Sequence, residues 1–425
     1  MGSVGGQSSG EKNNQASGRW QFLQFFLLLF VAGAFFIAWL WSFPLFGPVL
    51  ALLADNKNIN IRALYLAWLI GHTTSLFFYG LWYRKKPTLL PHLSMQASAL
   101  MSSLGTLGFL VVPDNFQLFL TVVLGMASAP FLAGFGVYLS CTCPGSYRGR
   151  AMGLTLVIAV LLHLFFITPF STALSSELLT VLVSIFPLAA AISLYFLTRF
   201  SPAESSEKSG ISIWISNPGH PKTGTAGPAG SPTKTPDSPN AFWLVFIVLI
   251  LGFYAVGGFM YDLVYPELVP VAGFSGTAGI LCYLPAAAAG GWLADTRGSR
   301  LLSSMALAVE GFGFLFLVSL SNPATWWLTL GLMQFGFAWM DLFVWLTLAD
   351  LGEKTGKAPQ YLGFGLAFNV GAITLASGLA VCLSRTGLSA THLPLAAVGL
   401  LFALIPVAAA LEGNRPALRS ATGVQ

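Results

Sequence analysis

Long apolar stretches, separated by short polar loops, recur along the whole chain. A hydrocarbon core of about 30 Å takes roughly 20 helical residues to cross, because the helix alone satisfies its backbone polar groups inside the bilayer. The stretches have this length and are bounded by Gly, Pro and charged residues. We therefore predict twelve membrane-spanning helices, at residues 21–50, 60–83, 90–112, 115–141, 150–172, 177–199, 241–265, 271–294, 300–320, 325–349, 360–384 and 391–411.

A transmembrane β-barrel is the alternative architecture for so apolar a chain. Its strands would be segments of about ten residues with strict alternation of apolar and polar side chains. The run from Phe25 to Phe30 is continuously apolar instead. Only 8% of the residues are charged and 55% are hydrophobic, whereas an ordinary soluble domain has about 25% charged residues. The pattern indicates an all-α membrane protein.

The Lys and Arg residues predict the orientation, because basic residues concentrate in the short loops on the cytoplasmic side. With the N-terminus inside, the inside segments hold seventeen of them and the outside loops hold three, Lys57, Arg62 and Arg385. We expect both termini to be cytoplasmic and the protein to lie in the plasma (inner) membrane. The net charge of +5 is therefore a topology signal and does not indicate a nucleic-acid partner.

A segment rich in Pro, Gly, Ser and Thr divides the predicted helices into two sets of six. Such a composition is typical of a flexible linker, and paired helical halves are typical of transporters. We predict a cytoplasmic tail at 1–19, a first six-helix bundle at 20–199, a cytoplasmic linker at 200–240, a second bundle at 241–411 and a cytoplasmic tail at 412–425.

One loop after the predicted eighth helix reads GWLADTRGSR, residues 291–300. It resembles the signature loop of the major facilitator superfamily, matching at Gly291, Leu293, Ala294, Asp295, Gly298 and Arg300, with Arg297 and Arg300 carrying the positive charge. The resemblance implies two pseudo-symmetric six-helix bundles.

The residue types of this loop suit a latch. Gly291 lets a neighbouring helix approach, Gly298 permits a tight turn, and Asp295 suits the N-terminus of a facing helix or an Arg. We expect such a contact to hold the cytoplasmic face closed. The alternative is a solvated turn that carries only topology-setting charge.

Two further loops bear on this resemblance. Residues 147–153, YRGRAMG, look like the basic Arg-Gly loop between the fourth and fifth helices of that superfamily, and place Arg148, Arg150 and Gly153 in the gating set. The equivalent loop of the first half, YGLWYRKKP at 79–87, keeps a Gly and basic residues but has no Asp. This departure predicts either an asymmetric latch or a first half that serves another use.

Acidic residues within predicted spans are costly to insert and usually mark a cavity or a partner. Asp341 lies deep in the tenth span, and we expect it to carry a proton or bind substrate. A structural hydrogen bond to a neighbouring helix is the alternative. For Glu310, in the ninth span, the structural hydrogen bond is favoured. Asp262, at the outer end of the seventh span, is a further candidate, with simple solvation as the alternative.

Four uncharged polar residues complete the candidates for substrate binding or coupling. His72 and His163 lie in the second and fifth spans, where imidazole groups suit a proton relay. Gln334 and Asn369 lie in the tenth and eleventh spans. For each of the four, packing between helices is the competing interpretation.

These features predict a secondary active transporter that moves a small organic solute by alternating access, driven by a solute or proton gradient, with efflux favoured over uptake. The scarcity of interior Lys and Arg favours a neutral, weakly cationic or amphipathic solute. No Walker-type loop is present, and neither a cofactor, a metal site nor enzymatic activity is expected. Lipids are expected partners of a monomer. The alternative is a membrane sensor or binding protein that keeps the fold without transport.

Overall fold

The computed structural model describes residues 9–45, 47–85, 91–167, 174–200, 239–260, 279–319, 326–383 and 392–413. They form thirteen helices: α1 (Ser9–Ser42), α2 (Pro48–Asn56), α3 (Ile61–Lys85), α4 (Pro91–Val111), α5 (Asp114–Thr142), α6 (Arg148–Ile167), α7 (Ser176–Phe200), α8 (Pro239–Phe259), α9 (Tyr283–Arg297), α10 (Arg300–Ser319), α11 (Trp326–Thr355), α12 (Ala358–Leu383) and α13 (His392–Gly413).

The helices match the predicted spans in order and, for most ends, within three residues. Eight of them, within the described residues, are long and apolar enough to cross a membrane: α5, α6, α7, α8, α10, α11, α12 and α13. Large apolar side chains such as Leu104, Phe119 and Leu375 are more than 65% exposed on the outside of the bundle. Such a surface suits lipid and not water. The all-α membrane fold is confirmed, and the count of twelve spans stays a prediction.

The first predicted span was wrong at its end. The chain leaves α1 at Ser42, turns through Phe43–Leu45, and begins a separate short helix at Pro48. Proline disfavours helical conformation in the preceding residue and removes a backbone donor, so Pro44 and Pro48 interrupt the apolar run. Gly47 is extended, with ψ of 141°, and a Cβ there would lie 2.3 Å from the Ser42 carbonyl carbon.

The tenth predicted span was too short. Its helix, α11, continues to Thr355 and ends at Gly356, whose φ of 67° is left-handed. The change from apolar to charged residues at Asp350 marks the edge of the apolar layer, whereas the helix stops only at its C-terminal glycine. Asp350 and Glu353 are thereby placed on the same rigid rod as Asp341.

The helices pack as two groups. In the first, α1 packs on α6 and α7, and α5 packs on α3 and α4; in the second, α12 and α13 pack on α8, and α11 and α13 pack on α10. The groups meet where α3 contacts α12, α6 contacts α9, and α5 contacts α11 and α12. The described helices therefore form the two pseudo-symmetric bundles that the sequence predicts.

The α3–α12 junction is antiparallel and close. Thr73 and Thr374 share a hydrogen bond of 3.4 Å between their hydroxyl oxygens. Two turns further on, a Cβ on Gly363 would lie 2.6 Å from the Gly80 Cα. Only residues without a side chain let the two backbones approach this far.

The α6–α9 junction repeats this arrangement with a second set of small residues. A Cβ on Gly149 would lie 2.4 Å from the Gly291 carbonyl oxygen, and a Cβ on Gly153 would lie 2.5 Å from the Ala287 carbonyl oxygen. The two helices are therefore in backbone contact at one end of the bundle. We call it the basic end, since its helix termini carry Arg148, Arg150, Arg297, Arg300 and Lys354.

Several predicted features lie outside the described residues. These are Asp262, the first eight residues of the N-terminal tail, most of the linker (201–238) and residues 414–425 of the C-terminal tail.

Candidate functional site

Asp341 lies in the middle third of α11 and is half-buried. One carboxylate oxygen accepts a hydrogen bond from the Tyr254 hydroxyl on α8, and the other accepts one of 2.7 Å from the Tyr283 hydroxyl on α9. Asn369 on α12 lies beside the Tyr254 hydroxyl. Three helices of the second group thus meet at one carboxyl group, and α12 lies next to it.

The first group supplies an aromatic neighbour to this cluster. The Trp41 ring on α1 meets the Tyr283 ring edge-on, with centroids 5.4 Å apart. His163 on α6 lies on the other side of Trp41, at 6.5 Å between ring centroids, and its Nδ1 shares a hydrogen bond of 2.9 Å with Ser42 Oγ. Trp41 therefore bridges the two groups between His163 and the Asp341 cluster. We call Trp41, His163, Tyr254, Tyr283, Asp341 and Asn369 the central site.

The charges around the central site are one-sided. In the described part of the chain, no Lys or Arg lies in the middle third of any helix, whereas Asp341 and Glu310 do. Among the described residues, the hydrogen bonds of Asp341 come from tyrosine hydroxyls alone, and no Lys or Arg pairs with its carboxyl group.

An aromatic layer lies between the central site and the basic end. Trp345 lies one turn beyond Asp341 on α11. Its ring meets that of Phe135 on α5, with centroids 5.8 Å apart and an angle of 74° between the ring planes. Gly136 of α5 lies against the same indole and against Leu362 of α12, since a Cβ there would come 2.3 Å from Leu362 Cδ2. The groups are thus in van der Waals contact below the site.

Asp295 makes the first polar contact between the groups at the basic end. Its Oδ1 accepts a hydrogen bond of 2.7 Å from the Gly149 N–H, and its Oδ2 accepts bonds of 3.0 Å from the Arg150 N–H and 2.8 Å from Arg150 Nε. The Asp295 side chain is 2% exposed. The carboxylate therefore caps the N-terminus of α6, where unpaired N–H groups and the helix dipole favour negative charge.

Arg148 makes the second contact. Its guanidinium donates to the carboxylates of Asp350 and Glu353 on α11. It also donates to the carbonyl groups of Leu139, Ser140 and Cys143, at 2.9 to 3.1 Å. The residue is 1% exposed, so these carboxylate and carbonyl oxygens replace the water molecules that would otherwise accept its hydrogen bonds. We call Arg148, Asp350 and Glu353 the arginine hub.

The rest of the gating motif has other partners. Gly298 ends α9 with a φ of 97°, a left-handed conformation suited to glycine. Arg297 is exposed. Arg300 donates to the Leu411 carbonyl and lies over the Phe242 ring at 5.2 Å, so it braces the second group internally. That its charge also serves the latch stays a prediction.

Three candidates lie away from the central site or lack partners. His72 is buried between α3 and α5, where Nδ1 bonds Ser128 Oγ at 2.7 Å and the ring stacks on Trp68, which favours the packing interpretation. Glu310 is 0% exposed on α10, and neither carboxyl oxygen has a hydrogen-bond partner among the described residues; the helix-bridging bond expected for it is not found there. Gln334 is buried two turns before Asp341 on the same face of α11.

Sequence reasoning missed Trp41, Tyr254 and Tyr283 because aromatic residues are abundant in every span. It missed Asp350 and Glu353 because α11 was ended too early. A signal for both acids exists: they occupy positions i and i+3 at the end of a helix, next to an interfacial Arg. In the described part of the chain, no group of three or more His, Cys, Asp or Glu side chains could hold a metal ion.

The fold is shared with solved membrane transporters. The human organic anion transporter MFSD10 (TETRAN) matches at a TM-score of 0.67 and 14% identity over 91% of this chain and 99% of its own. The proton:xylose symporter XylE, of the major facilitator superfamily, matches at a TM-score of 0.67 and 10% identity over 92% of this chain and 95% of its own. A bacterial homologue of the iron transporter ferroportin, in an outward-facing state, matches at a TM-score of 0.64 and 14% identity over 92% of this chain and 99% of its own.

No family model and no curated protein matches the chain in sequence. At these identities the structural likeness establishes the fold alone. The chain has the major facilitator fold and is an integral, multi-pass membrane protein.

Proposed function

We propose, starting from a fold shared with known solute transporters, that this protein is a secondary active transporter that moves a small organic solute by alternating access. One observation carries the proposal: Asp341 is half-buried in mid-helix, at a point where α8, α9 and α11 meet next to α12 and Trp41 approaches from the other bundle. A polar site where two bundles meet is what a rocking transporter needs, because either side can then expose it.

The closed contacts at the basic end support the second half of the proposal. Asp295, the arginine hub and the Phe135–Trp345 layer all join one bundle to the other. We take the basic end as cytoplasmic, with both termini on that side and the protein in the plasma membrane. Release of the latch and the hub then opens the central site to the cytoplasm.

Energy coupling is part of the proposal. Asp341 either carries a proton through the cycle or binds the solute. His163 and Asn369 are the other candidates for contact with the proton or the solute. Efflux is the favoured direction. We take the protein to act as a monomer and to have no enzymatic role.

A ligand screen tests the proposal. Purified protein is screened for thermal stabilisation by neutral and cationic solutes at two pH values, with Asp341→Asn in parallel. A ligand at about 100 Kd stabilises the folded state by about 2.7 kcal/mol. We expect hits that depend on pH in the wild type and are lost in Asp341→Asn. Asp114→Asn, the same chemical change at an exposed residue, is the matched control.

Transport itself is measured in proteoliposomes under an imposed pH gradient. We expect each hit to cross the membrane in wild-type vesicles and to collapse the gradient. A solute that binds the central site yet never crosses would refute transport and favour the membrane sensor instead.

A further inference from the structure

We infer that the central site takes a monovalent organic cation, a protonated amine or a quaternary ammonium or phosphonium ion, and that Trp41 forms the aromatic wall that selects it. The inference rests on the proposed function for the place of binding. It goes further by fixing the charge of the solute and naming a residue of the first bundle that recognises it.

Asp341 has acceptor capacity left for a ligand. A carboxylate offers about four lone-pair positions, and the Tyr254 and Tyr283 hydroxyls take one on each oxygen. The side chain is half-buried and not sealed. The carboxylate can therefore still accept an N–H group of the solute or pair with a permanent cation.

The charge balance selects the sign of the ligand. No Lys or Arg of the described helices lies at the level of the site. A bound monocation neutralises the Asp341 carboxylate, whereas an anion would place a second negative charge in a medium of low dielectric constant.

The rings around the carboxylate suit a cation as well. The Trp41 and Tyr283 rings meet edge-on with centroids 5.4 Å apart, and the Phe337 and Tyr254 ring centroids are 6.3 Å apart. The negative face of an aromatic ring attracts a cation, and Trp does so more strongly than Tyr or Phe. Since Trp41 comes from the first bundle, a cation held between Trp41 and Asp341 joins the two bundles.

Two ions of the same shape and opposite charge provide the test. Tetraphenylphosphonium, tetraphenylborate, the uncharged triphenylphosphine oxide and the smaller cation tetraethylammonium are titrated into the purified full-length protein, and binding is followed by thermal stabilisation and by radiolabelled equilibrium binding. We expect saturable binding of at least one cation and no saturable binding of tetraphenylborate or triphenylphosphine oxide.

Variants assign the binding to the site. Asp341→Asn is expected to weaken cation binding more than tenfold, Trp41→Ala about tenfold and Trp41→Phe less than Trp41→Ala, because Phe keeps a ring. Asp114→Asn is expected to leave it unchanged. The graded effect of the two Trp41 variants separates ring recognition from a loss of folding, which circular dichroism checks independently.

The outcomes separate this inference from the proposed function. Saturable binding of the anion or the neutral compound alone, no binding of either cation, or cation binding that survives Asp341→Asn overturns the inference. Transport of a neutral or anionic solute overturns it while leaving the transporter in place. Cation binding without flux in proteoliposomes supports the inference and overturns transport.

Discussion

At the residue scale, Arg148 shows why one side chain type suits the hub. The guanidinium offers five donors in a rigid fork, and here they reach two carboxylates and three backbone carbonyls. A Lys ammonium has three donors at one point and cannot span these acceptors. The carboxylates are 44% and 47% exposed, so the binding energy of the ion pairs is reduced by solvent.

Arg148→Gln is expected to open the basic end. A hydrogen bond to a charged group contributes about 1.5–3 kcal/mol, and about 1.4 kcal/mol is a tenfold change in an equilibrium. Even after the discount for solvent, we expect the open population to rise about tenfold. The measurement is the maleimide labelling rate of Ser140→Cys in a background without other cysteines, since the Ser140 hydroxyl, 2% exposed, donates to the Ala349 carbonyl across the bundles. An unchanged rate would contradict a gating role for the hub.

Cys143 provides a second prediction at this scale. Burial raises the pKa of its thiol to about 11; the Arg148 guanidinium lowers this pKa, whereas the nearby Asp295 and Glu353 carboxylates raise it. Because the thiolate is the reactive form, we expect the native protein at neutral pH to leave Cys143 unmodified by N-ethylmaleimide. Mass spectrometry after labelling checks this, with the exposed Cys141 as the internal control. Rapid modification of Cys143 in the native state would show that its surroundings are open.

At the element scale, α11 joins site and gate in one rigid body. Asp341, Trp345 and Asp350 follow one another along about 13 Å of helix, so a tilt of α11 moves the acid, the aromatic layer and the hub together. The glycines at the α6–α9 junction allow the corresponding approach of the backbones. Among the described residues, helix packing and contacts between helix ends therefore hold the basic end closed.

Gly153→Ala tests this packing. The added Cβ would lie 2.5 Å from the Ala287 carbonyl oxygen, whereas a Cβ on Gly378 of α12 meets nothing within 4 Å. Overpacking of this kind costs about 1–3 kcal/mol, so we expect a lower melting temperature and faster Ser140→Cys labelling for Gly153→Ala. Gly378→Ala is the matched control and is expected to change neither. Equal melting temperatures and labelling rates for the two variants would mean that the α6–α9 junction accommodates the added methyl group without opening.

Much of the element level was accessible from the sequence, because apolar length and charge are read directly along the chain. The position of Asp295 against the start of α6 also follows the residue types, although its role as a latch stays a prediction. The central site was not accessible as a set. Asp341 stands out as an acid in an apolar span, whereas Tyr283 joins it through the packing of α9 on α11, and Trp41 through the packing of α6 on both α1 and α9. No local pattern encodes this packing.

At the scale of the whole molecule, the described contacts between the bundles lie at the level of the central site and between it and the basic end. The Thr73–Thr374 pair links α3 and α12 at 3.4 Å, and the hub and the latch follow towards the basic end. We therefore expect motion between the bundles to break these contacts in concert. A transporter that alternates needs this set to form and dissolve once in each cycle.

Thr73→Cys with Thr374→Cys tests this motion. In a background without other cysteines, mild oxidation is expected to bridge the pair, to raise the melting temperature and to stop flux of any transported solute until the bond is reduced. Each single cysteine variant under the same oxidant is the control. Full flux through the bridged protein would show that the bundles need not separate at α3–α12.

The Asp295 latch has a consequence for tolerance to mutation. Two of its three donors are backbone N–H groups of residues 149 and 150, which nearly every amino acid supplies. The donor side, the start of α6, thus keeps these two bonds with any residue other than proline at 149 or 150, although position 149 is also limited by space. The acceptor side depends on the single carboxylate of Asp295. We therefore expect residue 150 to tolerate most substitutions and Asp295 to tolerate few, so that this contact can be retained while the surrounding sequence changes.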